Sequence, residues 1–181
     1  MNRSYPSFWS LVGKSAVVHT VTYFSVGLVA LTVFDYRNLY ADANVKLLMR
    51  QVNDPVVMTG PLFQPLRGAL FALAFYPFRQ TLFGLPRGWL LMALLLIVLG
   101  VVATFGPAPG SIEGLIYTVL PVSFQLIGLP EVLGQALLFS FILYYWVNHP
   151  AKRWLNWVLG VGFGLILALV TLGLLTAGTK Q

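Results

Sequence analysis

Along this chain, apolar runs of roughly twenty residues alternate with short polar stretches, a block pattern set by bilayer thickness rather than by the 3.6-residue period of a soluble amphipathic helix. Five runs, 15–34, 60–78, 89–105, 131–147 and 154–176, predict transmembrane helices. In the loop between the first two, Val45, Leu48, Met49 and Val52 recur at i, i+3, i+4 and i+7, while Asp42, Lys46 and Arg50 follow at four-residue steps on another face. That pattern predicts a short amphipathic surface helix over 42–52. After the breaker cluster Gly106-Pro107-Ala108-Pro109-Gly110-Ser111, residues 112–129 are apolar but interrupted by Glu113, Pro121, Gln125 and Gly128. They predict a re-entrant or interfacial segment. The expected architecture is an all-α polytopic membrane protein, a single bundle over residues 1–181.

Composition agrees with this pattern. Apolar residues make up 58% of the 181 and charged residues 9%, against roughly 25% charged in a soluble domain. Arg3 and Lys14 precede the first run as in a signal peptide, but the run is longer than a signal core, and Thr32-Val33-Phe34-Asp35 offers no small-x-small cleavage site. A retained first span is expected. The formal charge of +6 is scattered between the runs and forms no stripe. It points to topology control and contact with anionic headgroups rather than to nucleic acid. The absence of cysteine removes disulfides, thiolate metal sites and cysteine nucleophiles.

Basic residues arbitrate between five and six crossings. With five, Arg3, Lys14, Arg79, Arg87, Lys152 and Arg153 share one side, and the five tryptophans, Trp9, Trp89, Trp146, Trp154 and Trp157, line the interface there. With six, the Lys152/Arg153 link changes sides and the bias vanishes. Five crossings are therefore expected, in a bacterial inner membrane, with the N-terminus cytoplasmic and the C-terminus outside.

The candidate chemistry begins at Arg67. It lies within the second span with Gln64 one turn before it, at a depth where insertion costs roughly 2.5–3.5 kcal/mol. The topology puts it in the outer half of the bundle, together with Glu113 and Glu131, the only glutamates, and with Gln125 and Gln135. These six residues form the candidate ligand or ion-pair cluster, expected far from both histidines. His19, early in the first span, and His149, in the link after the fourth, are the residues that would ligate a haem, although as polar packing contacts they need no cofactor. No metal site is expected. Gly160, Gly164 and Ala168 recur every four residues and suit close helix packing.

Catalytic constellations are absent from the sequence. The three aspartates lie in one loop, and neither HExxH nor GxSxG occurs. The expected function is that of a non-enzymatic integral membrane protein, a structural or accessory subunit of a larger membrane complex that associates with other membrane subunits or with itself. The alternative is a small-molecule, lipid or ion transporter, or its substrate-binding component, with an outward-facing polar cavity around Arg67.

Overall fold

A computed structural model describes residues 5–43, 45–46 and 49–178. Among them the chain is helical, with no strand. Three helical runs are long and apolar enough to cross a membrane: Phe8–Val33, Val122–Asn148 and Arg153–Thr176. One further apolar helical run, Gly88–Val102, is shorter.

The first helix, α1 (Phe8–Val33), starts seven residues before the predicted span. Ser7 caps it by accepting from the Ser10 amide at 3.4 Å. Lys14 does not end it, because the long side chain carries its ammonium to 5.5 Å from the centre of the Trp146 ring. At 1.5 Å per residue α1 is about 39 Å long, which places His19 near its middle rather than at one end. After α1, Asp35 takes a left-handed conformation (φ 47°) and the short helix α2 (Tyr36–Ala41) follows.

The predicted 42–52 surface helix is not found among the described residues; Leu48 of its apolar stripe lies outside them. Val45 and Lys46 sit in hydrogen-bonded turns, and Arg50 pairs forward with Asp54 at 3.1 Å. Asp54 and Pro55 compete for this stretch: the Asp54 carboxylate accepts from the Val56 amide at 2.8 Å and starts the one-turn helix α3 (Pro55–Met58) with proline at its first position.

The second long element is α4 (Gly60–Phe75), about 24 Å long. Pro65 falls inside it rather than in its first turn, which leaves the Pro61 carbonyl without its usual donor. A 3₁₀ turn at Tyr76–Phe78 ends the run three residues early, Pro77 having no N–H to continue the ladder. Then α5 (Arg79–Gly84) leads into α6 (Gly88–Ile97), which ends in a π turn over Val98–Val102.

The interrupted segment forms two six-residue helices, α7 (Ile112–Tyr117) and α8 (Val122–Ile127), each about 9 Å long and too short to cross a bilayer alone. Ser111 caps α7 by accepting from the Gly114 amide at 2.9 Å. Gln125 ties the two helices together, donating to the Gly114 carbonyl, Thr118 Oγ1 and the Leu120 carbonyl at 3.1–3.3 Å. The chain continues through Gly128 into α9 (Leu129–Asn148) and, after a short link, α10 (Arg153–Gly178).

At the centre, α1 packs against α4, α9 and α10, while α6 packs on α9. Cross-contacts fix the directions. Ser15 Oγ donates to the Gly68 carbonyl at 2.7 Å and His19 meets Gln64, so α4 runs antiparallel to α1. Lys14 meets Trp146 and His19 meets Phe139, so α9 does too. The apolar core joins Leu11, Val18, Phe75, Phe83, Met92, Phe139, Leu143 and Trp146.

One end of the bundle is basic and aromatic: Arg79 lies over Tyr76, Lys152 over Tyr145, and Tyr144 donates to the Leu85 carbonyl. At the other end Tyr36 of α2 meets Glu131 of α9. Within this chain, α10 turns Leu155, Leu159 and Ile166 inward, and Gly160, Gly164 and Ala168 lie on the exposed side. A Cβ built on either glycine meets nothing within 4 Å. The predicted packing face is thus not the one α10 uses inside its own bundle, because branched side chains bury more apolar area there.

Candidate functional site

Gln64 and Arg67 stand one turn apart on α4, but they face different partners. Gln64 is buried; its amide nitrogen donates to the Gly60 carbonyl at 3.0 Å, which leaves its Oε1 to accept from His19 Nε2, also at 3.0 Å. This arrangement places the His19 proton on Nε2. The ring is wedged edge-on between Phe71 and Phe139, at centroid distances of 5.0 and 5.4 Å. Its Nδ1 is enclosed and has no partner.

Arg67 extends past Phe71, its guanidinium 5.7 Å from that ring centre. None of its nitrogens comes within 4.0 Å of a carboxylate oxygen among the described residues. Instead it lines two adjoining cavities. A small one of ≈ 80 Å³ lies between Arg67, His19, Gln135, Phe139 and the π turn of α6, through Gly100 and Val101. π turns are uncommon and recur beside functional sites. A larger one of ≈ 230 Å³ lies between Arg67, Gln135, Glu131, Gln125, Tyr23, Tyr36 and Tyr40. Arg67 and Gln135 belong to both walls, and the Gln135 amide nitrogen is enclosed without a partner.

The predicted cluster is therefore partly assembled. Arg67, Glu131, Gln125 and Gln135 meet around one cavity. Gln64 is diverted to His19, and Glu113, in the first turn of α7, lines neither cavity. The expectation that Arg67 lies far from both histidines fails for His19, which lines the same small cavity: α1 starts at Phe8, so His19 stands near its middle, at the level of Arg67. His149 follows the end of α9, ten residues beyond Phe139 and about 15 Å from the His19 level. There it stacks on Tyr145 and bonds the Tyr145 carbonyl. The structure does not bring the two histidines to one metal.

Three tyrosines escaped the sequence reading. Tyr23 lies one turn after His19 on α1, a spacing that marks a shared face. Tyr36 and Tyr40 are one turn apart on α2, stacked at 5.5 Å. Tyr36 Oη donates to Glu131 Oε2 at 2.5 Å. Burial, and then this bond to the carboxylate, holds the Tyr36 phenol above its ordinary value; burial and the Glu131 charge do the same to Tyr40. Both therefore stay protonated at physiological pH.

On the far side of Tyr23, Tyr36, Tyr40 and Glu131 lies a third cavity of ≈ 470 Å³, lined mainly by apolar residues of α1, α3 and α10, including Phe24, Leu28, Met58 and Leu169. Compared with protein families, curated proteins and solved structures, this chain matches no family model, no curated protein and no known structure.

Proposed function

We propose that this protein is an integral membrane protein that binds an anionic group in the cavity at Arg67, as a transporter of small molecules or as its substrate-binding component. One observation carries the reading: Arg67, exposed on α4, has no carboxylate partner among the described residues and lines a cavity beside the unpartnered Gln135 amide nitrogen. A structural arginine in a bilayer pairs with a carboxylate or a carbonyl. A guanidinium held over a cavity beside a free amide donor is instead set to receive a carboxylate or phosphate.

The bundle is proposed to cross the membrane five times, through α1, α4, α6, α9 and α10, with α7 and α8 dipping in from the outer side. Its basic and aromatic end faces the cytoplasm of a bacterial inner membrane.

The test compares Arg67→Leu with Arg79→Leu after purification in mild detergent, with native mass spectrometry of whatever remains bound. Arg79 lies over Tyr76, away from the cavity, and controls for the loss of one positive charge. Loss of a bound anion in Arg67→Leu alone is expected. Equal retention by both variants would rule the site out.

A second reading, an accessory subunit of a membrane complex, rests on the exposed Gly160, Gly164 and Ala168 face of α10. Small residues on a lipid-facing surface permit the close backbone approach that drives helix association in lipid. Gly164→Leu is expected to release a partner helix without changing the chain's own thermal stability, as read by co-purification and unfolding in the same detergent.

A further inference from the structure

Arg67 does not face a purely cationic cavity. The same chamber of ≈ 230 Å³ is also lined by Glu131, and there is no ion pair between the two opposite charges. Arg67 is exposed and Glu131 half-buried, so the attraction between them is modest. They stay apart here because each is anchored elsewhere. Glu131 is held by the Tyr36 phenol at 2.5 Å, and its other oxygen lies against α1 at Gly27, where an added Cβ would stand 3.8 Å from it. Arg67 is held over Phe71. Hydrogen-bonding capacity between them is divided in the same sense. Gln135, beside Arg67, has an enclosed amide nitrogen without an acceptor; Gln125, in the wall with Glu131, has an enclosed Oε1 without a donor.

We infer, building on the anion-binding reading, that this chamber takes a small zwitterion, its carboxylate or phosphate against Arg67 and Gln135 and its ammonium group against Glu131. An anion alone would leave the Glu131 carboxylate facing it across the chamber, and a cation alone would face Arg67. Only a molecule carrying both charges satisfies both walls. The apolar chamber adjoins the Glu131 side, through Tyr23, Tyr36 and Tyr40. In a phospholipid the acyl chains leave from the phosphate, so a headgroup seated with its phosphate on Arg67 would send its chains away from that chamber. The ligand is therefore a free solute rather than a lipid head.

Titration calorimetry on the purified full chain, with matched probes, tests this. Phosphoethanolamine is compared with ethyl phosphate, and β-alanine with propionate. Each zwitterion is expected to bind about tenfold or more tightly than its matched anion, the ratio set by one charge-assisted contact. This comparison uses the unaltered protein and does not depend on a variant folding. Glu131→Gln, which keeps an oxygen for Tyr36, should abolish the preference while leaving ethyl phosphate affinity in place, and Arg67→Leu should abolish both.

Equal affinity within each pair overturns the zwitterion while leaving the anion site standing. No binding by any of the four overturns both. Retention of phosphatidylethanolamine over phosphatidylglycerol from mixed nanodiscs, with the free probes silent, overturns the free-solute assignment in favour of a lipid head.

Discussion

At Gly68, a side chain of one hydrogen lets α4 lie directly on α1. An added Cβ would stand 2.6 Å from both Ala16 Cα and the Ser15 carbonyl oxygen, and that is backbone, which cannot swing aside. The Ser15 hydroxyl bond to the Gly68 carbonyl spans the same contact. Gly68→Ala is therefore expected to force the helices apart and to cost about 1–3 kcal/mol, the usual range for overpacking. Gly160→Ala, with open space around it, should change stability little. Thermal unfolding of both variants in one detergent measures the difference.

The sequence marked out Gly160 and not Gly68, because a four-residue repeat of small residues is visible in a string of letters and a single close backbone contact is not. Arg67 was legible for the opposite reason: a charge in an apolar run stands out wherever the helix turns it. Its surroundings were less so. The expected outer-half cluster excluded His19 because an apolar run need not start where its helix starts, and it included Glu113, which sits in the first turn of α7 and lines neither cavity at Arg67.

At the scale of elements, chain breakers were the clearest signal. Gly106 to Ser111 and Pro121 predicted an interrupted segment, and α7 and α8 occupy it as two short helices. What joins them was hidden, since nothing in the letters says that Gln125 reaches back to three acceptors across α7 and the following turn. Gln125→Leu keeps the bulk and removes all three bonds, while the Gly114 carbonyl still accepts from Thr118 Oγ1 at 2.7 Å. A loss of about 0.5–1.5 kcal/mol is expected for that region. Because the bonds are local, it should appear as faster hydrogen exchange and proteolysis over 103–128 before any change in the main bundle; a uniform loss across all helices would contradict the local role.

The 42–52 stretch shows the converse. Its apolar stripe spans only two turns, and a capping aspartate followed by proline at Asp54-Pro55 is a stronger start signal than a weak amphipathic pattern.

For the whole molecule, the contacts between helices give relative directions, and the charges give a side. Lys14, Arg79 and Lys152 each engage an aromatic ring at the same end of the bundle, the arrangement expected at a cytoplasmic interface. With five crossings, the loop that follows α1 lies outside and the link between α9 and α10 lies inside. With six, the two share a side. The chain has no cysteine, so a single introduced thiol reports its own location without background.

Ala43 and Ala151 are both exposed alanines in connecting segments, and replacing either leaves the core untouched. In right-side-out cells, Ala43→Cys is expected to react with a membrane-impermeant maleimide, and Ala151→Cys only after permeabilisation. Labelling of both before permeabilisation would replace five crossings with six. Labelling of Ala151→Cys alone would invert the bundle and open the Arg67 cavity toward the cytoplasm, so the same pair of thiols also decides which side supplies the ligand.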